Sequence, residues 1–120
     1  MNILINEVNR SRAIVRKGMN PLADSYSAFR ENFGSDGNRA TTGFGAMLHA
    51  LGFKRLFFVG LARDYCVRFS AEDAIIEGFE SFVIDDLTKS VHPSYDAVAN
   101  VTTDLLAAGV VLINHNDIDL

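Results

Sequence analysis

Three stretches of this 120-residue chain repeat one pattern of apolar and polar positions. In "MLHALGFKRLFFVG", "AEDAIIEGFESFVID" and "TTDLLAAGVVLIN", a helical spacing of apolar residues meets a glycine and then a short, nearly continuous apolar run. A helix that stops at glycine uses a residue without Cβ to enter the left-handed conformation, and the apolar residue after it packs back on the helix end. Gly52, Gly78 and Gly109 take that place, followed by Phe53, Phe79 and Val110. The runs beyond them, Arg55–Gly60, Ser81–Asp85 and Val110–Asn114, are β-branched or aromatic. They read as short strands covered on both faces. An earlier strand is expected at Arg12–Arg16, "RAIVR", ending at Lys17-Gly18.

Helices alternating with strands imply right-handed crossovers and a mainly parallel sheet, so the chain reads as one α/β unit over residues 1–120. The spacing predicts helices over Phe44–Leu51, Tyr65–Glu77 and about Pro93–Ala108, with Pro93 in the first turn. In the second, Val67, Ala71, Ala74 and Ile75 mark the inner face and Arg68, Glu72 and Asp73 the solvent face. "FGSDGNRATTG" reads as a loop, with Thr42 capping the helix after it. "ADSYSAF", taken alone, reads as a helix start capped by Asp24 or Ser25, with Tyr26 and Phe29 on one face.

Composition narrows the partners. A net charge of −4 argues against a phosphate-binding surface, and so against nucleic acid. No apolar run reaches membrane-spanning length, and the start "MNILINEVNRSR" is too mixed for a secretory signal. The single cysteine cannot form an internal disulfide, which makes a reducing, cytoplasmic compartment the expectation.

That cysteine, Cys66 in "GLARDYCV", carries the chemistry. By residue type alone it is a small buried hydrophobe. Its position adds to that, because it lies just beyond the carboxyl end of "RLFFVG", where open α/β sheets build their sites. A helix starting there presents free N–H groups, which stabilise a thiolate and can hold the oxyanion of a tetrahedral intermediate. Lys17 holds the matching place after the earlier strand. It is either a solvated strand-end lysine or an ammonium beside the thiolate. The three histidines, His49, His92 and His115, fit no compact metal motif.

Together, "VRKGMNPLADSYSAF" and "TTGFGAMLHALGFKRLFFVGLARDYCVRFSAEDAIIEGF" resemble the C-terminal part of nicotinamidases, members of the isochorismatase-like cysteine hydrolases. The resemblance rests on the order KG, DSYSAF, TG, GLAxDYCV and AxDA. It implies a three-layer α/β/α fold with a mainly parallel sheet. It implies an amidase of NAD salvage, in which Cys66 attacks the carboxamide of nicotinamide and a thioester is hydrolysed to nicotinate. By the same resemblance Lys17 is the catalytic lysine, and the backbone N–H groups of Ala62 and Cys66 form the oxyanion hole. Leu61–Ala62 is a cis peptide, and Tyr26 and Tyr65 line the pyridine pocket. Arg63 departs from a small threonine, and a long cation there would crowd or re-charge the entrance.

The family's aspartate and its ligands for a zinc-type divalent metal lie ahead of the segment matching Lys17. Only sixteen residues precede Lys17 here, without aspartate or histidine and with Glu7 as their one carboxylate. The expectation is therefore an N-terminally truncated version of the fold that lacks the first two strands and the metal ligands. Arg12–Arg16 then either pairs directly with Arg55–Gly60 or leaves an apolar edge exposed, and the chain is expected to be a homo-oligomer, re-paired or marginally stable. Two alternatives stay open: an inactive remnant serving as an interaction module, and a cysteine hydrolase acting on another small amide or a vinyl ether.

Overall fold

A computed structural model describes residues 2–4, 12–32 and 38–118 of the chain. Two short strands, β1 (Asn2–Leu4) and β2 (Arg12–Ile14), are followed by helix α1 (Phe44–Ala50) and strand β3 (Arg55–Leu61). A π-helical turn at Arg63–Val67 leads into α2 (Arg68–Ile76), and then come β4 (Glu80–Lys89), α3 (Tyr95–Ala108) and β5 (Val111–Ile113).

The three glycine junctions form as the pattern predicts. Gly52, Gly78 and Gly109 have φ of 83°, 93° and 96°. The next residue donates back across the end of its helix each time: Phe53 N to Leu48 O at 3.1 Å, Phe79 N to Ala74 O at 2.9 Å and Val110 N to Leu105 O at 3.0 Å. These bonds satisfy the last carbonyls and turn the chain directly into the strand.

Strands β3, β4 and β5 form a parallel sheet in that order, with Phe57, Phe82 and Val111 in register. β4 runs past the predicted Asp85 because its pairing resumes after a bulge, where Gly60 pairs with Thr88 and Leu61 with Lys89. The polar "DDLTK" hides this second half from a hydrophobic pattern. β2 is shorter than expected and pairs antiparallel with β1, not with β3. Among the described residues β3 is therefore an edge of the parallel sheet, with Phe57, Val59 and Leu61 exposed along one face.

The other face carries the core. Phe29 meets Phe44, Phe58 and Phe79 at ring distances of 5.0, 6.2 and 6.1 Å, and Leu48, Val83, Val101 and Leu105 close around this cluster. "ADSYSAF" is not helical. It is an irregular segment bound to its neighbours, with Ala28 N donating to Ser70 Oγ at 2.9 Å and Thr42 Oγ1 donating to Ala28 O at 2.6 Å. Thr42 thus braces this segment, and the N-cap of α1 is Gly43. α3 begins at Tyr95 and not at Pro93, capped by Ser94, whose hydroxyl accepts from Ala97 N. Asp73 is buried and not solvent-facing, because Arg39 folds over it with a two-pronged pairing at 2.9 and 2.6 Å. That bond, against the cost of burial, raises the Arg39 pKa above its ordinary value. Glu7 and the first five residues of "FGSDGNRATTG", 33–37, lie outside the described residues.

One buried carboxylate joins the end of β3 to the end of β4. Asp64 accepts the backbone N–H groups of Val91 and His92, each at 2.9 Å. Burial pushes its pKa up, but the N–H groups of His92 and Val91, its own N–H and the His92 charge outweigh that and hold it below the ordinary carboxylate value.

Two outcomes follow. Leu105 is fully buried, so Leu105→Ala should cost about 2–5 kcal/mol in urea unfolding. Asp64→Asn should cost about 1–3 kcal/mol at pH 7, because one N–H of the pair loses its acceptor. Since folding depresses the Asp64 pKa, its stabilisation is complete above the unfolded carboxylate pKa and fades as pH falls through the folded value. The difference between wild type and Asp64→Asn should therefore shrink when unfolding is repeated at pH 3.

Candidate active site

Strand β3 ends in a tight reversal that sets the site. Gly60 has φ of 106°, a conformation glycine tolerates, and the Leu61–Ala62 peptide bond is cis. The Ala62 carbonyl accepts Tyr65 N at 3.1 Å and Val67 N at 3.0 Å. The second bond spans five residues and widens the turn into a π-helical one, a form common at functional sites. Cys66 lies in this turn, two residues ahead of α2, where the sequence pattern predicts an α-helical start.

Lys17 comes to the same place from the other end of the chain. It follows β2 by three residues, and its Nζ donates to the Tyr26 carbonyl at 2.8 Å and to Cys66 Sγ at 3.1 Å. Gly18, at φ 65°, turns the backbone away immediately after Lys17.

Tyr65, next to Cys66 in the chain, and Tyr26, whose carbonyl takes the Lys17 ammonium, bring their rings together. Tyr26 and Tyr65 meet at 5.3 Å with a 52° tilt, and Phe69 stacks on Tyr26 at 5.8 Å. Phe69 lies one helical turn after Tyr65, a spacing that could have flagged it. The Tyr65 hydroxyl pairs with His92 Nε2 at 3.0 Å. His92 follows the end of β4, so the strand-end rule that singles out Cys66 would also have found it had β4 been read to Lys89.

Arg63 does not reach the entrance. It is 5% exposed and runs beneath α3, donating to Asp85 at 2.7 Å and to Thr102 Oγ1 at 2.7 Å. The sequence position alone could not show this direction, because the partner Thr102 is distant in the chain.

The structure thus brings Lys17, Tyr26, Tyr65 and Cys66 together, with the Ala62 and Cys66 backbone in the same turn. The other histidines lie elsewhere: His49 bonds the Glu77 carbonyl at 2.7 Å and stacks on Phe79, while His115 pairs with Asp86. Among the described residues no group of three or more His, Cys, Asp or Glu could hold a metal ion. No helix among them is long and apolar enough to cross a membrane.

The nicotinamidase of Escherichia coli (strain K12) is 38% identical over 100 residues, covering 83% of this chain and 45% of that protein. The crystal structure of PnC1 from L. infantum in complex with nicotinate superposes with a TM-score of 0.77 at 40% identity, covering 92% of this chain and 52% of that one. A zinc complex of the pyrazinamidase of Pyrococcus horikoshii shares the fold, with a TM-score of 0.66 at 24% identity over 83% of this chain and 49% of that one. The chain spans about half the length of these relatives. The α/β fold is a partial form of theirs, and the isochorismatase domain model matches residues 11–117, so the chain belongs to the isochorismatase family.

Proposed function

We propose that this chain carries the nucleophile of a cysteine amidase that hydrolyses nicotinamide to nicotinate and ammonia. The observation that carries the reading is the Lys17 Nζ to Cys66 Sγ distance of 3.1 Å, made at the carboxyl end of a parallel strand and beside two tyrosine rings. A thiolate held by an ammonium is a ready nucleophile for a carboxamide.

On this reading the flat pyridine ring lies along Tyr26 and Tyr65, which presents its amide carbon to Cys66. Sulfur adds to that carbon, and the oxyanion is received by the N–H groups of Ala62 and Cys66. The C–N bond then breaks. The nitrogen leaves as ammonia with the proton that the Cys66 thiol passed to Lys17, and water then hydrolyses the thioester, its hydroxyl going to the acyl carbon to give nicotinic acid, which ionises to nicotinate, and its other proton returning to the sulfur. A zinc-bound relative and the family resemblance suggest a metal, but the described residues do not fit one: His92 is engaged by Tyr65, and no further donor set stands at the site. No step is routed through a metal here.

The exposed edge of β3, with Phe57, Val59 and Leu61 along it, supports self-association of the chain. The lone thiol supports a reducing compartment such as the cytoplasm.

The test is ammonia release from nicotinamide with a divalent metal supplied, comparing this chain with two variants. Cys66→Ala should lower the rate by about a thousandfold or more. Lys17→Ala, which removes the charge beside the sulfur, should cost about 10²–10³-fold. Equal background rates in the chain and in Cys66→Ala would reject the amidase reading and leave an interaction module of the same fold.

A further inference from the structure

Three consecutive residues at the end of β3 divide between two tasks. Cys66 faces Lys17, while Asp64 and Tyr65 both reach across to the segment that follows β4. The Asp64 carboxylate takes the backbone N–H groups of Val91 and His92 at 2.9 Å each, and the Tyr65 hydroxyl pairs with His92 Nε2 at 3.0 Å. His92 is therefore gripped twice from one turn, once by its backbone and once by its ring. The two attachments close a loop from Asp64 through His92 to Tyr65, the residue next to the nucleophile.

Such a loop restricts the Tyr65 ring. A tyrosine joined to the protein only through its Cβ can rotate about two side-chain bonds. A hydrogen bond at the far end of the ring, to a partner whose own backbone is clamped, selects one orientation. Tyr26, the facing ring, is held differently: its carbonyl receives the Lys17 ammonium, and Phe69 stacks against it.

We propose that His92 is a positioning residue that fixes the Tyr65 ring as one wall of the Cys66 cleft, so that the cleft receives flat heteroaromatic rings in preference to small aliphatic amides. This rests on the reading of Cys66 as the nucleophile and Tyr65 as a wall of its cleft. Asp64, ionised across the neutral range, acts one step further back by holding the backbone of His92.

The chain's single cysteine allows a test that needs no turnover. Cys66 alkylation is timed with 4-vinylpyridine, a flat pyridine reagent, and with iodoacetamide, a small aliphatic amide, and the ratio of the two rates is compared across variants. His92→Ala and Tyr65→Phe should each lower that ratio about three- to tenfold, the effect of losing one hydrogen bond. The double variant should fall no further than the lower single one, because both changes break the same contact. A ratio within twofold of wild type in both single variants would overturn the proposal, as would losses that multiply in the double variant. Should His92→Ala fail to fold, Tyr65→Phe, which removes only the hydroxyl, decides by the same ratio. Ammonia release is assayed separately: its absence in wild type would end the amidase reading, while the alkylation ratio would still decide the role of His92.

Discussion

The contact on which the site depends is the Lys17 ammonium, held between the Tyr26 carbonyl and the Cys66 sulfur. It ties residues 49 apart in sequence, and no strand pairing makes that connection, since β2 pairs with β1 while Cys66 follows β3. A partly buried ammonium loses water, and one carbonyl and one sulfur replace only part of that hydration. Those two acceptors are what let the Lys17 charge leave solvent, so the contact that fixes its position also fixes the distance to the sulfur.

The turn bearing Cys66 is braced from both sides by its neighbours. Arg63 passes under α3 to Asp85 and Thr102, and Asp64 passes to the Val91–His92 backbone. The two adjacent buried charges point to different elements, which anchors the end of β3 to β4 and to α3 at once. A π-helical turn is poorly hydrogen-bonded compared with an α-helical one and persists where its surroundings define it. Here the surroundings are two charged side chains with satisfied partners. Removing either partner set would leave a buried charge with fewer hydrogen bonds than it has here.

The parts that were legible in the sequence are those governed by local rules. Gly52, Gly78 and Gly109 announced their helix ends because a left-handed residue is a backbone requirement that few residue types meet. Strands β3 and β5 followed from their apolar runs. What escaped was decided by distant partners. Asp73 read as a solvent residue until Arg39 folded over it, and Arg63 read as an entrance cation until Thr102 drew it under α3. "ADSYSAF" carries helix-start residue types, yet Ser70 and Thr42 hold its backbone in an irregular form. His92 escapes a hydrophobic pattern because β4 continues through polar residues to Lys89 before it. Lys17 and Cys66 were paired through family resemblance and strand-end position, and their 3.1 Å separation is a property of the folded chain.

Tyr26 and Tyr65 come to the Cys66 turn from different parts of the chain and are held there by different partners. Tyr65 and Cys66 are adjacent in sequence, so any movement of the turn would displace wall and sulfur together. The Tyr26 carbonyl is tied to the same sulfur through Lys17, and the Tyr65 hydroxyl is tied to His92 in the segment that follows β4. The rings meet at 5.3 Å between centroids, the Tyr26 ring held by stacking on Phe69 and the Tyr65 ring by the bond at its hydroxyl. Apolar packing alone is tolerant of direction, whereas a phenol demands a partner at a defined point, so of the two rings Tyr65 has the more narrowly defined orientation.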